Sequence, residues 1–201
     1  MTDIRKYLPL ILLGFIALLC ISMCNTYNKL GPMDEGIKAK WSEVEVQYQR
    51  RMDLIDQAVA TVKAGADYEK STLEAVVQAR ASATQVKIDA NNLTPEAIQR
   101  FEQGQNNLYG AMKSLLAVSE NYPNLKANQG FLDLQTQIEG TENRIAIARR
   151  NFNEAVNTYN AYIRRFPTNL LAGVFGFTPK GYFQSASGAE KAPDLNQKFG
   201  Q

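Results

Sequence analysis

Histidine is absent from this chain of 201 residues, so chemistry that needs an imidazole as base, proton shuttle or metal ligand is closed to it. Its two cysteines, Cys20 and Cys24, lie in or beside the first apolar run. No thiol is left for a zinc site or a disulfide framework elsewhere. Carboxylates are the next groups to weigh for metal or acid–base work. Glu43 and Glu45 sit on different sides of a helix and cannot converge locally, whereas Asp53 and Asp56 share a face. A di-metal carboxylate bundle also draws on Glu-x-x-His, which this sequence cannot supply. No phosphate-cradling Gly-rich loop with its lysine and no Gly-x-Ser-x-Gly elbow occurs. The residues therefore predict no catalytic set, no metal and no cofactor.

What remains is polar chemistry suited to recognition. The Arg50–Arg51 pair can meet lipid headgroups or an acidic partner, or simply form a solvated helix face with ordinary ion pairs. Asn143, Asn153 and Asn160 stand on one long helical stretch, and buried asparagines can fix register or oligomer state there. Exposed asparagines on helices are equally commonplace. These five residues form the candidate interaction surface. Trp41 is either an interfacial aromatic anchor or a core residue. Lys and Arg number 22 against 20 Asp and Glu, which gives no basic stripe for nucleic acid. Apolar residues make up 45%, enough for a core of ordinary size.

The elements that must position these groups begin with an anchor. Tyr7 to Cys24 carry no charge, and as a helix they reach about 27 Å, close to the hydrocarbon thickness of a bilayer. Arg5 and Lys6 precede the run, and Pro9 falls near its start, where a missing N–H costs little. A retained signal anchor is the leading reading. A cleaved secretory signal lacks its small-x-small pattern after the run. A lipid-modified Cys24 has the right position, but Met23 is no small residue; a buried soluble helix is the last alternative. Arg5, Lys6 and the free amine favour a cytoplasmic N-terminus and an outward body, against Lys29, Lys38 and Lys40 just after the span.

Residues 25–36, with Gly31, Pro32 and Gly36, read as a polar linker. Helical periodicity then takes over. Trp41, Val44, Tyr48, Met52, Ile55, Val59 and Val62 share one face, with Gly65 and Asp67 as the helix end. Ser71, with Glu74 as capping-box partner, is predicted to start a second helix whose stripe fades after Ala83. Asn91–Asn92 marks a turn and Thr94-Pro95-Glu96 a helix start. The third stripe runs through Ile98, Phe101, Gln105, Leu108, Met112, Leu115, Ser119 and Tyr122 to Pro123. The fourth runs from Phe131 to Tyr162, about 50 Å, and ends at Phe166–Pro167. Apolar residues from Leu170 to Phe183 are predicted to fold back over the open end of the bundle. Regular stripes of this kind favour near-antiparallel, coiled-coil-like packing, and no two-residue alternation predicts a sheet.

Several ordered clusters carry a resemblance. They are Tyr27–Asn28, Trp41–Ser42, Gln47, Arg50–Arg51, Asp53-Leu54-Ile55, Val62–Lys63, Tyr68–Glu69, Ala79–Arg80, Glu120, Tyr122–Pro123 and Leu125–Lys126. Further on come Thr141-Glu142-Asn143, Ile145, Ala148–Arg149, Phe152–Asn153, Tyr159–Asn160, Phe166–Pro167, Phe175-Gly176-Phe177 and Tyr182–Phe183. From Tyr27 to Phe183 the chain resembles the bacterial LemA family. Asp56–Gln57 stands where that family usually has Pro-Asn, so a helical interruption typical of the family is in doubt here. The resemblance implies an antiparallel four-helix fold on a membrane anchor, with no established reaction, cofactor or ligand.

The expected fold class is all-α: an N-terminal single transmembrane helix followed by an antiparallel four-helix bundle with long helices. The expected division is a tip (1–6), a transmembrane signal anchor (7–24), a linker (25–36), a helical bundle (37–183) and a disordered tail (184–201). The expected function is a non-enzymatic, membrane-anchored interaction or scaffold protein of the cell envelope. Its partners would be the membrane, crossed once, and another protein or further copies of itself, with no nucleic acid. A lipid- or small-molecule-binding bundle with a sensory role is the alternative.

Overall fold

The computed structural model describes residues 4–64, 70–118 and 128–184. Among them are five helices and no strand: α1 Ile4–Ala64, α2 Lys70–Gln85, α3 Pro95–Val118, α4 Gln129–Ile163 and α5 Thr168–Val174. Gly65, Asp67, Ser119, Tyr122, Pro123 and the tail beyond residue 184 fall outside the described residues.

Local signals set two helix starts. Thr94 Oγ1 accepts a hydrogen bond from the Ala97 N–H at 3.2 Å, and Pro95 takes the first helical position of α3, where its missing N–H is harmless. Asn128 caps α4 by accepting from the Phe131 N–H at 3.2 Å. Burial along α4 recurs at Phe131, Leu134, Ile138, Thr141, Ile145, Ala148, Phe152, Val156, Tyr159 and Ile163, the three-and-four rhythm of a helix with one face inward. Ser71, expected from the sequence to start α2, lies within helix that runs from Lys70 among the described residues.

The larger difference lies in residues 25–36, which form no break in secondary structure. α1 runs unbroken for 61 residues, with Pro9 and Pro32 inside it. Two glycines and a proline disfavour a helix interior by about 5 kcal/mol together. Thr26, Leu30 and Ile37 are buried nonetheless, continuing the stripe of Trp41, Val44 and Tyr48 backwards. Each fully buried aliphatic side chain contributes about 1.5–3 kcal/mol, so packing is of the size needed to offset the local breakers. Asp56–Gln57 likewise lies within continuous helix.

α1 and α4 pack along their lengths and run in opposite directions. Lys29 lies over Tyr162, Trp41 meets Phe152 and Arg51 meets Glu142, so partners descend along α4 as α1 ascends. α2 packs on α3. The apolar interior forms two clusters. One centres on Trp41, Tyr48, Phe101, Phe152 and Tyr159; the other holds Ile55, Leu108, Met112, Leu134 and Ile138 with Leu73, Val76 and Ala83 of α2.

After α4 the chain folds back. α5 packs against α1 and α4 and ends on Gly176, whose φ of 75° suits glycine. The Phe177 N–H reaches Ala172 O at 2.9 Å and the Gly176 N–H reaches Gly173 O at 3.2 Å, the paired bonds that close a helix C-terminus. Residues 177–184 continue as an extended strap over the bundle.

The helical state of the former linker is testable at Gly36, where an added Cβ meets nothing within 4 Å. Gly36→Ala is expected to raise unfolding stability by about 0.5–1 kcal/mol, read from guanidinium titration of the full chain in detergent. A destabilised variant would show that Gly36 does not adopt helical geometry.

Candidate functional site

Between the two apolar clusters lies a polar layer built by Arg51, Gln105 and Thr141, which are 5%, 3% and 1% exposed. Arg51 and Glu142 form a two-pronged ion pair. Nε donates to Oε1 at 2.7 Å and Nη2 donates to Oε2. A third donation, from Nη1, goes to the Gln105 carbonyl at 3.4 Å. The guanidinium also lies over the Tyr48 and Tyr109 rings, 5.0 and 5.4 Å from their centroids. Removing a guanidinium from water costs several kcal/mol. Forked hydrogen bonding and aromatic faces offset that cost far better for arginine than a point charge would. Arg50, about 100° further round the helix, is exposed.

The remaining candidates divide in the same way. Asn153 and Asn160 grip the strap. The Asn160 amide donates to Lys180 O and accepts from the Lys180 N–H, both at 2.9 Å. Asn153 does the same with Phe183, again at 2.9 Å each way. The spacing explains the fit: seven residues along a helix and three along an extended chain each cover about 10 Å. Asn143 is exposed on α4. With Arg51 opposite Glu142, Arg50 and Asn143 stand at matching heights on α1 and α4.

Sequence reading did not bring together the pairs that complete this arrangement. Lys180 Nζ meets Asp34 Oδ1 of α1 at 2.8 Å. The Gly181 N–H donates to Leu93 O at 2.8 Å, and a Cβ on Gly181 would come 2.7 Å from Pro95 Cα, so glycine is required there. The Phe183 ring stacks on Trp41 at 6.0 Å and 14° and meets Phe101 and Phe152 edge-on. Arg149 pairs with Glu102, donates to Gln184 O at 2.8 Å and covers the Phe183 ring. A groove of about 730 Å³ remains beside the strap, lined among others by Tyr48, Arg51, Tyr109, Glu142, Arg149 and Asn153.

Two buried phenols are held in their protonated form. Burial pushes the Tyr48 phenol up, and burial followed by the Asp34 carboxylate does the same at Tyr159. Both are protonated at neutral pH. Burial also works against ionisation of Asp34, but Lys180 and then Lys38 outweigh it and hold its carboxyl below the ordinary 3.8. Among the described residues no cluster of three or more His, Cys, Asp or Glu could hold a metal. α1 is the one described helix long and apolar enough to cross a membrane.

A model of the LemA family matches residues 40–197. Magnetosome protein MamQ 2 of Paramagnetospirillum magneticum is 29% identical over 177 residues, covering 79% of this chain and 64% of the relative. Magnetosome protein MamQ of Magnetospirillum gryphiswaldense is 28% identical over 176 residues, covering 78% and 64%. Protein LemA of Metamycoplasma hominis is 23% identical over 159 residues, covering 79% and 69%. The chain thus spans less than two thirds of the length of the MamQ relatives.

Glu142→Ala is expected to cost about 3–5 kcal/mol because it leaves the buried Arg51 charge unpaired, while Arg51→Met with Glu142→Leu retains most of the stability. Guanidinium unfolding of both variants checks this. A lowered carboxyl stabilises the fold above its unfolded value, and that contribution is lost as pH falls through the lowered one. Release of the strap is therefore expected only as pH drops below 3.8, read as faster amide exchange in residues 177–184. Asp34→Asn is expected to weaken that acid dependence, Glu102 still accepting from the Gln184 N–H.

Proposed function

The chain belongs to the LemA family, and from that premise we propose that it is a membrane-anchored, non-enzymatic scaffold of the bacterial cell envelope. In this reading residues 7–24 cross the bilayer once, the N-terminus is cytoplasmic, and an antiparallel four-helix body stands on the extracytoplasmic side. The observation that carries the proposal is the continuity of α1. One helix leads from an apolar run, exposed at every residue from Tyr7 to Ile21, directly into the core beside Trp41. The body is therefore mounted on its anchor without a flexible joint, as suits a protein that presents a surface at a fixed height above the bilayer.

The surface we assign lies where α1 and α4 run side by side. Arg50 and Asn143 flank it, and Val46 and Ile147 are 60% and 42% exposed beside a shallow groove of about 390 Å³. Arg51, Asn153 and Asn160 support it from within by fixing the helices and the strap. Another protein or a second copy is the partner, at the usual scale of about 800 Å² per side. The groove beside Arg51 supports a second reading, a small anionic or lipid-derived ligand held between α3, α4 and the strap.

Photo-crosslinking residues at Val46 and Ile147, with Ser114 on α3 as control, separate these readings in intact cells. Discrete adducts from the first two and none from Ser114 are expected. A chain without adducts at native abundance would sink the scaffold reading in favour of the ligand. For orientation, a cysteine at Ser187 in a background lacking Cys20 and Cys24 is expected to label with an impermeant thiol reagent once any outer membrane is permeabilised. Protection until full lysis would place the body inside the cell.

A further inference from the structure

The base of the body carries an apolar face that no described residue covers. Phe166, Leu170 and Val174 are 81%, 64% and 72% exposed. Leu170 and Val174 are one turn apart on α5, whose buried residues are Thr168 and Ala172. Arg164 and Arg165, directly before Phe166, are exposed as well.

Its height along α1 is fixed by contacts. The Phe175 and Phe177 rings lie 5.4 and 5.9 Å from Tyr27, and Tyr27 is only about 4.5 Å along the axis from the last residue of the apolar run. Coverage reaches further still. Thr26 is buried, and Ser22 and Met23, inside the run, are half-buried, whereas Tyr7 to Ile21 are exposed. Protein therefore packs beside the last turn of the segment that enters the bilayer. An apolar face at that depth, preceded by two arginines and neighboured by tyrosine, has the composition of an interfacial element. As a dimer contact it is too small. A phenylalanine buries about 150–250 Å² and two aliphatic side chains add less, short of the roughly 800 Å² a stable partner needs.

We propose that the Arg164–Phe166 turn and α5 form a lipid-docking foot. Phe166, Leu170 and Val174 enter the headgroup–acyl boundary of the bilayer that α1 crosses, and Arg164 and Arg165 meet phosphate headgroups. The foot rests on the single-span reading given above and adds a second attachment point to it. Held at two places, the body cannot precess freely about α1.

The test uses the full chain in vesicles of phosphatidylcholine and phosphatidylglycerol, in a Cys20→Ser, Cys24→Ser background. An environment-sensitive fluorophore is placed at Val174→Cys for the foot, Leu13→Cys for the span or Ser114→Cys for the distal body. Nitroxide lipids quench from shallow or deep acyl positions. Val174 is expected to shift to the blue and lose several-fold intensity to shallow nitroxide, Leu13 to deep nitroxide, and Ser114 to neither. Quenching at Leu13 with Val174 behaving like Ser114 would overturn the foot and leave the span standing. An unquenched Leu13 would overturn both. A blue-shifted Val174 that lipid does not quench, and that reverts on dilution into excess lipid, would overturn the foot by assigning the face to a second copy.

Discussion

A buried guanidinium admits few solutions, and Arg51 dictates how the long helices meet. Its charge is 5% exposed and is met by Glu142, by the Gln105 carbonyl and by two tyrosine rings. Sliding α4 one turn along α1 would keep apolar side chains in apolar surroundings, at moderate cost. It would also strand a buried ion, at a cost of several kcal/mol. The polar layer therefore selects one register among several that the apolar stripes alone would tolerate, and its position between the two clusters lets both follow from it.

The strap depends on that register in turn. Asn153 and Asn160 meet Phe183 and Lys180 with four bonds of 2.9 Å, and Phe183 fills the space between Trp41, Phe101 and Phe152. Individually such bonds contribute about 1 kcal/mol. Jointly they tie α1 through Asp34, α4 through its two asparagines, and the start of α3 through Leu93. The helices on which the α1–α4 face lies are thus locked by a segment more than twenty residues further along the chain than Asn153.

Much of this was legible in the sequence, for identifiable reasons. The fourth stripe located α4 because its burial follows a single rhythm, and Thr94-Pro95 marked the start of α3 because capping is local chemistry. The linker was misread because Gly31, Pro32 and Gly36 are local signals, while Leu30 and Ile37 act through tertiary burial. Arg51 carried an unused signal: it stands three residues after Tyr48 and four before Ile55, on the same buried stripe. Asn160 sits likewise between Val156 and Ile163. The Asp34–Lys180 and Arg149–Glu102 pairs had no such signature, since their members meet only when the chain is folded.

The unbroken course of α1 has a mechanical consequence. From Cys24 to Ala64 a helix extends about 60 Å, and no hinge loop interrupts it. With residues 7–24 in a bilayer, the tilt of the span and the attitude of the body become one variable. Transmembrane helices change tilt to match hydrocarbon thickness, and a change of about 10° would move the far end of such a lever by about 10 Å. On the single-span reading, lipid thickness would thereby be geared to the position of a surface well clear of the membrane.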